Sequence, residues 1–304
     1  MKSHWCLFCV IRRVSQRATP EPYPAWRTLS HAIGHAPLEW RYEAGTKQRS
    51  THDGQRKLLL SELEFISRHL PDTEGDVVVV YAGAAPGVHI LELLAEFPAR
   101  VKFALYDRTP FVRSLVASER LWLCSRFFDD TEASRWARSE LPVFFVSDIR
   151  TALPDRSTHT TEQGKQEDDE RVECGVARDM EDQARWTLLM QPRAALLKFR
   201  PPYWYPWNSS GGGMWSYLPG TVQLPIYGPR NTTECRLDVD VAASLRGDRS
   251  WLDPRRHQDV MAFFNAIMRP AYDTHAEDHV FNYTVYCKRH EVTGPHYIRI
   301  PQET

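Results

Sequence analysis

Residues 77–89, VVVVYAGAAPGVH, join four consecutive valines to a turn that contains two glycines and a proline. A short β-branched run without alternating polar residues is typical of a strand that is buried on both faces. The residues from His89 to Phe97 carry apolar side chains at helical spacing. The stretch therefore predicts a strand, a glycine turn and a helix, which together form the first half of a βαβ unit.

The glycine turn (residues 83–87) has the features of a nucleoside site. Glycines let a ligand approach the backbone, and a helix N-terminus offers free amide donors with a partial positive charge. The next predicted strand, at 101–106, is followed by Asp107, which lies 20 residues after Gly87. Folds of this kind place there the acid that binds the ribose hydroxyls. Ordinary turns also contain Gly and Pro, so it is the ordered series of strand, turn, helix, strand and acid that indicates a nucleoside site.

The spacing of the glycines favours one class of nucleoside. The dinucleotide fingerprint G-x-G-x-x-G is incomplete, because the turn offers only Gly83 and Gly87 with alanines between them. The chain also lacks the G-x-x-x-x-G-K-[S/T] phosphate loop. A ligand with an adenosine ribose but no pyrophosphate fits better, and S-adenosylmethionine (SAM) is such a ligand. A nicotinamide dehydrogenase is the weakest alternative.

The composition sets broad bounds on the protein. The 304 residues, 42% hydrophobic and 25% charged, suffice for a full core in one large domain or in one domain with an extension. No apolar run approaches the ~20 residues that span a bilayer. The six cysteines are scattered, which favours reduced thiols over a disulfide framework. These features predict a soluble intracellular protein.

Predicted strands and helices alternate along the chain. This order predicts an α/β fold with a doubly wound, mostly parallel, seven-stranded sheet and helices on both faces, with ligands at the carboxyl ends of the strands. Residues 1–45 are predicted to form a basic, irregular N-terminal extension. The predicted strands are 77–82, 101–106, 142–147, 193–199 and 280–287, and the predicted helices are 57–70, 109–120, 179–191 and 254–268.

The net charge of −1 conceals an asymmetry. Residues 1–57 hold ten Lys or Arg against four Asp or Glu, whereas residues 162–182 hold nine acidic against three basic residues. A basic segment beside a SAM-type site favours a polyanionic substrate, although a solvated surface is the simpler explanation of charge alone. The acidic stretch, about 155–178, is predicted to be an exposed insertion.

Two predicted strand ends carry reactive side chains. Asp148 follows the strand PVFFVS, and Lys198 lies inside the apolar segment ALLKFRPPYW. A lysine embedded in an apolar strand is costly unless it has a partner or a use. Burial and nearby cations lower a lysine's pKa, which allows it to act as a general base. For Lys198 considered alone, a side chain that extends to solvent at a sheet edge is the simpler explanation.

Five segments resemble, in order, the motifs of the poxvirus cap-specific mRNA 2'-O-methyltransferase family, whose members also serve as the processivity subunit of the viral poly(A) polymerase. The segments are GQRKLLLSELEFIS, VVVVYAGAAPGVHI, VSDIR, LLKFRPPY and TECRL, and the resemblance runs over about residues 55–287 with the acidic stretch as a departure. It implies that residues 46–300 form a Rossmann-like class I SAM-dependent methyltransferase domain. It further implies capped mRNA as substrate, a poly(A) polymerase catalytic subunit as a candidate partner, and a location in the cytoplasm, a viral factory or the virion.

The resemblance also implies a catalytic tetrad of Lys57, Asp148, Lys198 and Glu234. By this resemblance Lys198 takes the proton from a ribose 2'-hydroxyl, while the other three residues orient Lys198 and tune its charge. The arrangement is chemically sensible, because an attacking hydroxyl must be deprotonated whereas the sulfonium methyl group needs only in-line placement. The reaction implied in this way requires no metal ion.

The implied SAM site draws on residues near three strand ends. Each of these residues also has a structural alternative, as a turn, core, surface or capping residue. The implied contacts are Gln55, Tyr81, Gly83, Ala85, Pro86, Gly87, Asp107, Arg108 and Phe128, with Asp148 near the amino group of SAM.

The predicted cap and RNA contacts are Tyr203, Trp204, Tyr205, Gln258 and Arg150. Tyr203 matches the family's cap-stacking aromatic, and the aromatic density after Lys198 suits stacking on an unpaired base or on a cationic methylated guanine. Simple packing of the loop is the alternative for any single aromatic. The family has carboxylates where this chain has Tyr205 and Gln258, which predicts different or weaker cap recognition.

Two further functions remain open at the sequence level. The segment RPPYW resembles the [N/D]-P-P-[Y/F] motif of amino-methyltransferases that act on bases, but Arg200 offers no acceptor for a target amine. The other alternative is a non-catalytic subunit that binds RNA and keeps a poly(A) polymerase on its template. An intact tetrad favours the enzyme without excluding such a second role.

Overall fold

The computed structural model describes residues 27–36, 51–151, 161–203, 213–225, 227–228 and 232–269. Most of the predicted extension at 1–45 and the predicted strand at 280–287 lie outside these ranges. Trp204 and Tyr205 lie outside them as well, so their predicted roles stay predictions.

One sheet of seven strands organises the described residues. The strands among the described residues are β1 (Val77–Ala82), β2 (Val101–Tyr106), β3 (Leu121–Cys124), β4 (Val143–Ser147), β5 (Ala194–Phe199), β6 (Trp215–Tyr217), β7 (Gly220–Gln223), β8 (Cys235–Val239) and β9 (Ser250–Leu252). The order across the sheet is β3-β2-β1-β4-β5-β8-β7, and β6 pairs with β9 in a separate two-stranded sheet. Strands β1 to β5 run parallel to one another, whereas β8 is antiparallel to both β5 and β7.

Helices cover both faces of this sheet. They are α1 (Leu29–His35), α2 (Thr51–His69), α3 (Ile90–Glu96), α4 (Asp130–Trp136), α5 (Glu162–Met190), α6 (Val241–Leu245) and α7 (Pro254–Phe263), which continues into a π-helical turn at Phe264–Met268. Residues of α2 and α3 pack into one core, and residues of α1, α4, α5 and α7 pack into the other. None of the described helices is long and apolar enough to cross a membrane. The architecture is mixed α/β and consistent with the predicted Rossmann-like class.

The four valines of β1 explain why the sheet is covered on both sides. Val77 and Val79 belong to the core beneath α2 and α3, whereas Val78 and Val80 belong to the core on the opposite face. Successive side chains of a strand point to opposite faces, so a strand between two helical layers is apolar at every position. The predicted strand at 77–82 is thereby confirmed, as is its parallel neighbour at 101–106.

The predicted helix at 109–120 is wrong. These residues form turns and an isolated bridge, and β3 follows them as the edge strand of the sheet. Pro110 has no backbone N–H to donate to a helix. The N–H of Thr109 donates to the side chain of Asp107, which favours a turn at this position. Val116 is 72% exposed, so the apolar spacing that suggested a helix does not mark a buried face.

Where the structure describes it, the acidic stretch that was predicted to be an exposed insertion is partly buried. Residues 162–178 belong to the long helix α5, which packs one face against the core. Three of its acidic side chains, Asp168, Glu173 and Asp179, are almost fully buried. The acidic composition suggested solvent exposure, but a protein tolerates buried carboxylates that pair with cations or accept N–H groups. Arg200, for example, pairs with Glu173.

Candidate active site

The topology of the sheet brings three segments with charged side chains to one edge. Asp148 directly follows β4, and Lys198 lies near the end of the neighbouring strand β5. Because β8 runs antiparallel to β5, its first residues lie beside the end of β5, and Lys198 is paired with Arg236. Glu234, just before β8, therefore reaches the same place. This edge is the carboxyl end of the parallel strands, where folds of this class bind their ligands.

The four residues of the predicted tetrad come together at this edge. Lys198 Nζ lies 3.1 Å from Asp148 Oδ1 and 3.4 Å from Glu234 Oε2. Lys57, which projects from α2, contacts Glu234 Oε1 through its Nζ atom. The two carboxylates thus hold the ammonium of Lys198 between them.

Arg236 completes the group, and the sequence analysis missed it. Its Nη2 atom lies 2.6 Å from Asp148 Oδ1 and 3.4 Å from Glu234 Oε1, and its side chain is only 5% exposed. The available signal was the strand period, because Arg236 stands two residues after Glu234 and extended chains place such pairs on one face. Lys57, Asp148, Lys198, Glu234 and Arg236 are called the charged cluster below.

The charged cluster keeps its carboxylates ionised. Burial by itself raises the pKa of Asp148, but the charges of Lys198 and Arg236 outweigh it and hold that pKa below its ordinary value. The pKa of Glu234 lies well below its ordinary value, since Lys198 and Lys57 together overcome the effect of burial. Burial lowers the pKa of Lys57, although Glu234 opposes the shift. Asp148 and Glu234 therefore stay charged to lower pH than free carboxyl groups do.

The glycine turn packs directly against the segment that carries Asp148. Gly83 and Gly87 have φ angles of 79° and 74°, a region that favours glycine. A Cβ atom on Gly83 would lie 2.9 Å from the backbone nitrogen of Ile149 and 3.0 Å from the carbonyl carbon of Asp148. The absence of a side chain at Gly83 therefore permits the close approach of the turn to the charged cluster.

Replacing Gly83 with alanine should displace this contact. A comparison is available in Gly75, which also has a positive φ of 68° but no atom within 4 Å of its virtual Cβ. Gly75→Ala should cost only the conformational strain, about 1–2 kcal/mol of unfolding free energy. Gly83→Ala should cost more, because the Asp148 segment must also move. Denaturant titrations of both variants measure the difference, and equal losses would contradict the close contact.

Asp107 links the glycine turn to the end of β2. Its Oδ2 atom accepts the N–H of Ala85 at 3.0 Å, and its Oδ1 atom accepts the N–H of Thr109 at 2.7 Å. Each carboxylate oxygen has a second lone pair, so both retain capacity for another donor. Pro86, between Ala85 and Gly87, completes the turn. The carboxylate thus both shapes the turn and offers acceptors to a ligand.

Two predicted cofactor contacts, Tyr81 and Phe128, have buried side chains. The hydroxyl of Tyr81 donates to Glu62 at 2.8 Å, and that carboxylate also contacts His89 Nε2 at 3.1 Å. His89 Nδ1 in turn lies 3.0 Å from Gln55 Oε1, which ties the predicted contact Gln55 to this network.

Phe128 and Arg108 lie at the β2 side of the turn. The Phe128 ring packs edge-on against Tyr106 and Trp186, with centroid distances of 5.1 Å. Arg108 is exposed, and its guanidinium lies 5.6 Å from the ring centroid of Phe127. Cofactor contacts by Phe128 and Arg108 stay predictions.

Three of the predicted cap and RNA contacts, Tyr203, Gln258 and Arg150, lie within the described residues. The hydroxyl of Tyr203 accepts a hydrogen bond from Thr233 Oγ1 at 2.8 Å. Thr233 is the residue that precedes Glu234. Gln258 is half-buried on α7, and its neighbour His257 contacts the carbonyl oxygen of Thr233 at 3.0 Å. Arg150 Nη1 lies 3.6 Å from Asp179 Oδ2. Tyr203 and α7 thus meet at the residue that precedes Glu234.

Comparison with known proteins identifies the family. A family model described as poly A polymerase regulatory subunit matches residues 32–290. A cap-specific mRNA (nucleoside-2'-O-)-methyltransferase of Fowlpox virus (strain NVSL) is 28% identical over 193 residues, which cover 60% of this chain and 56% of the relative. A protein of the same name from Myxoma virus (strain Lausanne) is 27% identical over 201 residues, covering 63% and 54%. The chain thus spans little more than half the length of these relatives. Since the family model covers most of the chain, the protein belongs to the poly A polymerase regulatory subunit family.

Proposed function

We propose that this chain is a SAM-dependent methyltransferase that acts on a ribose 2'-hydroxyl at the 5' cap of mRNA. The observation that carries the proposal is the position of Lys198 Nζ, which two carboxylates hold near the segment that packs against the glycine turn. The names of the viral relatives support the same reaction. Because the chain spans only part of those relatives, the proposal rests on its own site residues as well as on their names.

Lys198 acts as the general base in this proposal. Its Nζ atom accepts the proton of the 2'-hydroxyl while the hydroxyl oxygen forms its bond to the methyl carbon. Asp148 and Glu234 fix the direction of Nζ, because each contacts it within 3.4 Å. SAM, when bound, supplies a methyl group on a sulfonium, whose C–S bond breaks to leave a neutral thioether. A positioned base of this kind typically contributes about 10²–10⁴-fold to the rate.

Lys57 and Arg236 maintain the charge of the two carboxylates. Lys57 contacts Glu234, and Arg236 contacts both Asp148 and Glu234. Lys57 and Arg236 are therefore positioning residues that act through the carboxylates.

The residues near the glycine turn fit the cofactor SAM. The conformations of Gly83 and Gly87 require a backbone without side chains, and Asp107 retains an acceptor on each oxygen for the two ribose hydroxyls. The remaining members of the proposed SAM site are Gln55, Tyr81, Ala85, Pro86, Arg108, Phe128 and Asp148.

Tyr203 is the proposed stacking partner of the cap guanine. Tyr203→Ala should weaken the binding free energy for 7-methylguanosine cap analogues by about 1–3 kcal/mol, the usual contribution of one base–aromatic stack. Fluorescence titration measures this affinity, and Trp251→Ala is a suitable control because Trp251 is an exposed aromatic on β9. Equal affinities of the wild type and the Tyr203 variant would remove Tyr203 from cap binding.

The same titration tests how strictly the cap is recognised. Carboxylates recognise the donor groups of the guanine edge, and this chain has Tyr205 and Gln258 at the matching positions. We therefore expect a smaller preference for methylated over unmethylated cap analogues than a pair of carboxylates would give. The other proposed RNA contacts are Trp204 and Arg150. They should contribute stacking and charge and should not affect the preference for methylated caps.

A second function is supported by the family to which the chain belongs. A poly A polymerase regulatory subunit would bind RNA and a polymerase catalytic subunit without any need for methyl transfer. Incubation of the chain with methyl-labelled SAM and a short capped RNA separates the two functions. Label on the RNA supports the enzyme, whereas RNA binding without any label leaves the regulatory subunit as the function.

A further inference from the structure

Glu173 on helix α5 connects to the segment that follows β5. Its Oε2 atom accepts a hydrogen bond from Arg200 Nη1 at 2.9 Å and another from the backbone N–H of Tyr203 at 2.7 Å. Its Oε1 atom accepts Arg200 Nη2 at 3.1 Å. The guanidinium of Arg200 also lies 4.1 Å from the ring centroid of Tyr203. One buried carboxylate thus fixes the backbone of Tyr203 and the cation that stacks on its ring.

Asp179, further along α5, connects to the segment that follows β4. Its Oδ2 atom accepts the backbone N–H of Thr151 at 2.8 Å, and its Oδ1 atom accepts the hydroxyl of Thr151. Arg150 lies 3.6 Å from the same carboxylate. This segment begins with Asp148, so Asp179 anchors the backbone three residues after a member of the charged cluster.

Gln183 connects α5 to Lys198 itself. Its Nε2 atom donates to the backbone carbonyl oxygen of Lys198 at 3.1 Å, and the side chain is almost fully buried. The three polar side chains of α5 therefore reach the chain at Thr151, Lys198 and Tyr203. None of these contacts belongs to the sheet or to the helix ladder.

We propose that α5 is the positioning element of the substrate side of the site, with Glu173 and Asp179 as positioning residues for the 2'-hydroxyl acceptor RNA. The inference rests on the proposed function. It assigns a role to the acidic stretch that charge alone suggested was an exposed surface. Glu173 sets the direction of the Tyr203 ring, and Asp179 sets the path of the segment that carries Asp148 and Arg150.

Burial makes these contacts strong enough to position the segments. Hydrogen bonds to charged groups are stronger than those between neutral groups, and a buried charge without a partner is strongly destabilising. Both segments extend past the ends of their strands, where side chains from a rigid neighbouring helix can fix them in place. A displaced Tyr203 or Arg150 would then contact the RNA less well, which raises the KM for RNA.

The test compares Glu173→Gln and Asp179→Asn with the wild type in steady-state methyl transfer to capped RNA. Each variant keeps the shape of the side chain but removes its charge. Both should raise the KM for RNA by roughly tenfold or more. The Kd for SAM, measured by calorimetry, should stay unchanged for Glu173→Gln, because Glu173 contacts the segment after β5 and not the glycine turn. Glu170→Gln and Glu181→Gln are matched controls, since both acids are exposed on the same helix, and they should leave both constants unchanged.

The outcomes separate positioning from simple stabilisation. A variant that only destabilises the fold lowers the active fraction, so kcat falls while the KM for RNA is unchanged, and this result would overturn the inference. Glu173→Asp guards against a Gln variant that fails to fold: it keeps the charge for Arg200 but is one carbon short of Tyr203. It should still raise the KM for RNA, and a wild-type KM would overturn the inference.

Failure of the proposed function gives a different result from failure of the positioning role. A wild type that transfers no methyl group contradicts the proposed function alone. The RNA affinities of the same variants, measured by fluorescence anisotropy, then decide the positioning role. Weaker RNA binding by Glu173→Gln and Asp179→Asn supports it, and wild-type binding by both overturns it.

Discussion

Lys198→Ala should abolish methyl transfer while SAM still binds. Loss of a general base typically costs about 10²–10⁴-fold in rate. Lys198 acts on the hydroxyl, whereas the proposed SAM site lies at the glycine turn, so the Kd for SAM should stay near that of the wild type. Single-turnover transfer from labelled SAM measures the rate, and calorimetry measures the Kd.

The fold should survive this substitution, because the remaining charges balance. Without Lys198, Lys57 still pairs with Glu234, and Arg236 still pairs with Asp148. Lys198→Arg should also be inactive, since a guanidinium stays protonated and cannot accept the proton.

Lys102→Ala is the control for this experiment, because Lys102 lies on β2 and pairs with the exposed Asp76. Its rate of methyl transfer should match that of the wild type. A Lys198→Ala protein that retains most of its activity would remove Lys198 from the mechanism.

Arg236→Met should lower the free energy of unfolding by about 3–5 kcal/mol at neutral pH, the usual cost of removing one partner from a buried ion pair. The Arg236 side chain is 5% exposed and contacts both carboxylates of the charged cluster. Its loss removes the nearer of the two cations that contact Asp148 and leaves Lys198, 3.1 Å away, as the other. Methyl transfer should fall as well, because Asp148 loses the partner that fixes its orientation.

The loss of unfolding free energy in Arg236→Met should depend on pH, and the lowered pKa values of the two carboxylates determine its direction. The pKa values of Asp148 and Glu234 are lowered in the folded protein from ordinary values of 3.8 and 4.5. Their stabilising contribution is therefore complete above about pH 5 and is lost as the pH falls through the lowered values. Because Arg236 helps to lower both pKa values, the difference in stability between wild type and variant should be largest at neutral pH and should narrow below pH 4.5.

Denaturant titrations at pH 7 and pH 4 measure this difference. Arg246→Met is the control, because Arg246 forms an exposed pair with Asp248 and should contribute only about 0–1 kcal/mol. A loss for Arg236→Met as small as the control's, or a loss independent of pH, would show that the charged cluster does not stabilise the fold as described.

Local patterns in the sequence were enough to predict the central half of the fold. Strand β1 and the glycine turn are determined by neighbouring residues, because β-branched runs and glycines at positive φ act over a few positions. The meeting of Asp148 and Lys198 was implied by the resemblance to the methyltransferase family, and it agrees with the rule that the ends of parallel strands share one edge of the sheet. The structure brings both residues together with Lys57 and Glu234.

The sequence could not predict features that depend on distant partners. The buried acids of α5 resemble solvated residues until Arg200 and the N–H groups of the two active-site segments are placed beside them. The contacts of Arg236 with the charged cluster depend on the antiparallel pairing of β8 with β5, which places Arg236 beside Lys198. The short edge strand β3 offers too few residues for a clear pattern. Each of these features arises from tertiary contacts that local propensity does not encode.

The central claim is that the charged cluster catalyses methyl transfer from SAM to a ribose 2'-hydroxyl. A comparison of two RNAs tests this claim most directly. The wild-type chain is incubated with methyl-labelled SAM and either a short capped RNA or the same RNA with a 2'-deoxy sugar at the first transcribed nucleotide. The account predicts label on the first RNA, recovered as a 2'-O-methyl nucleoside after digestion, and none on the second. Equal labelling of both RNAs, or no label on either, would contradict it.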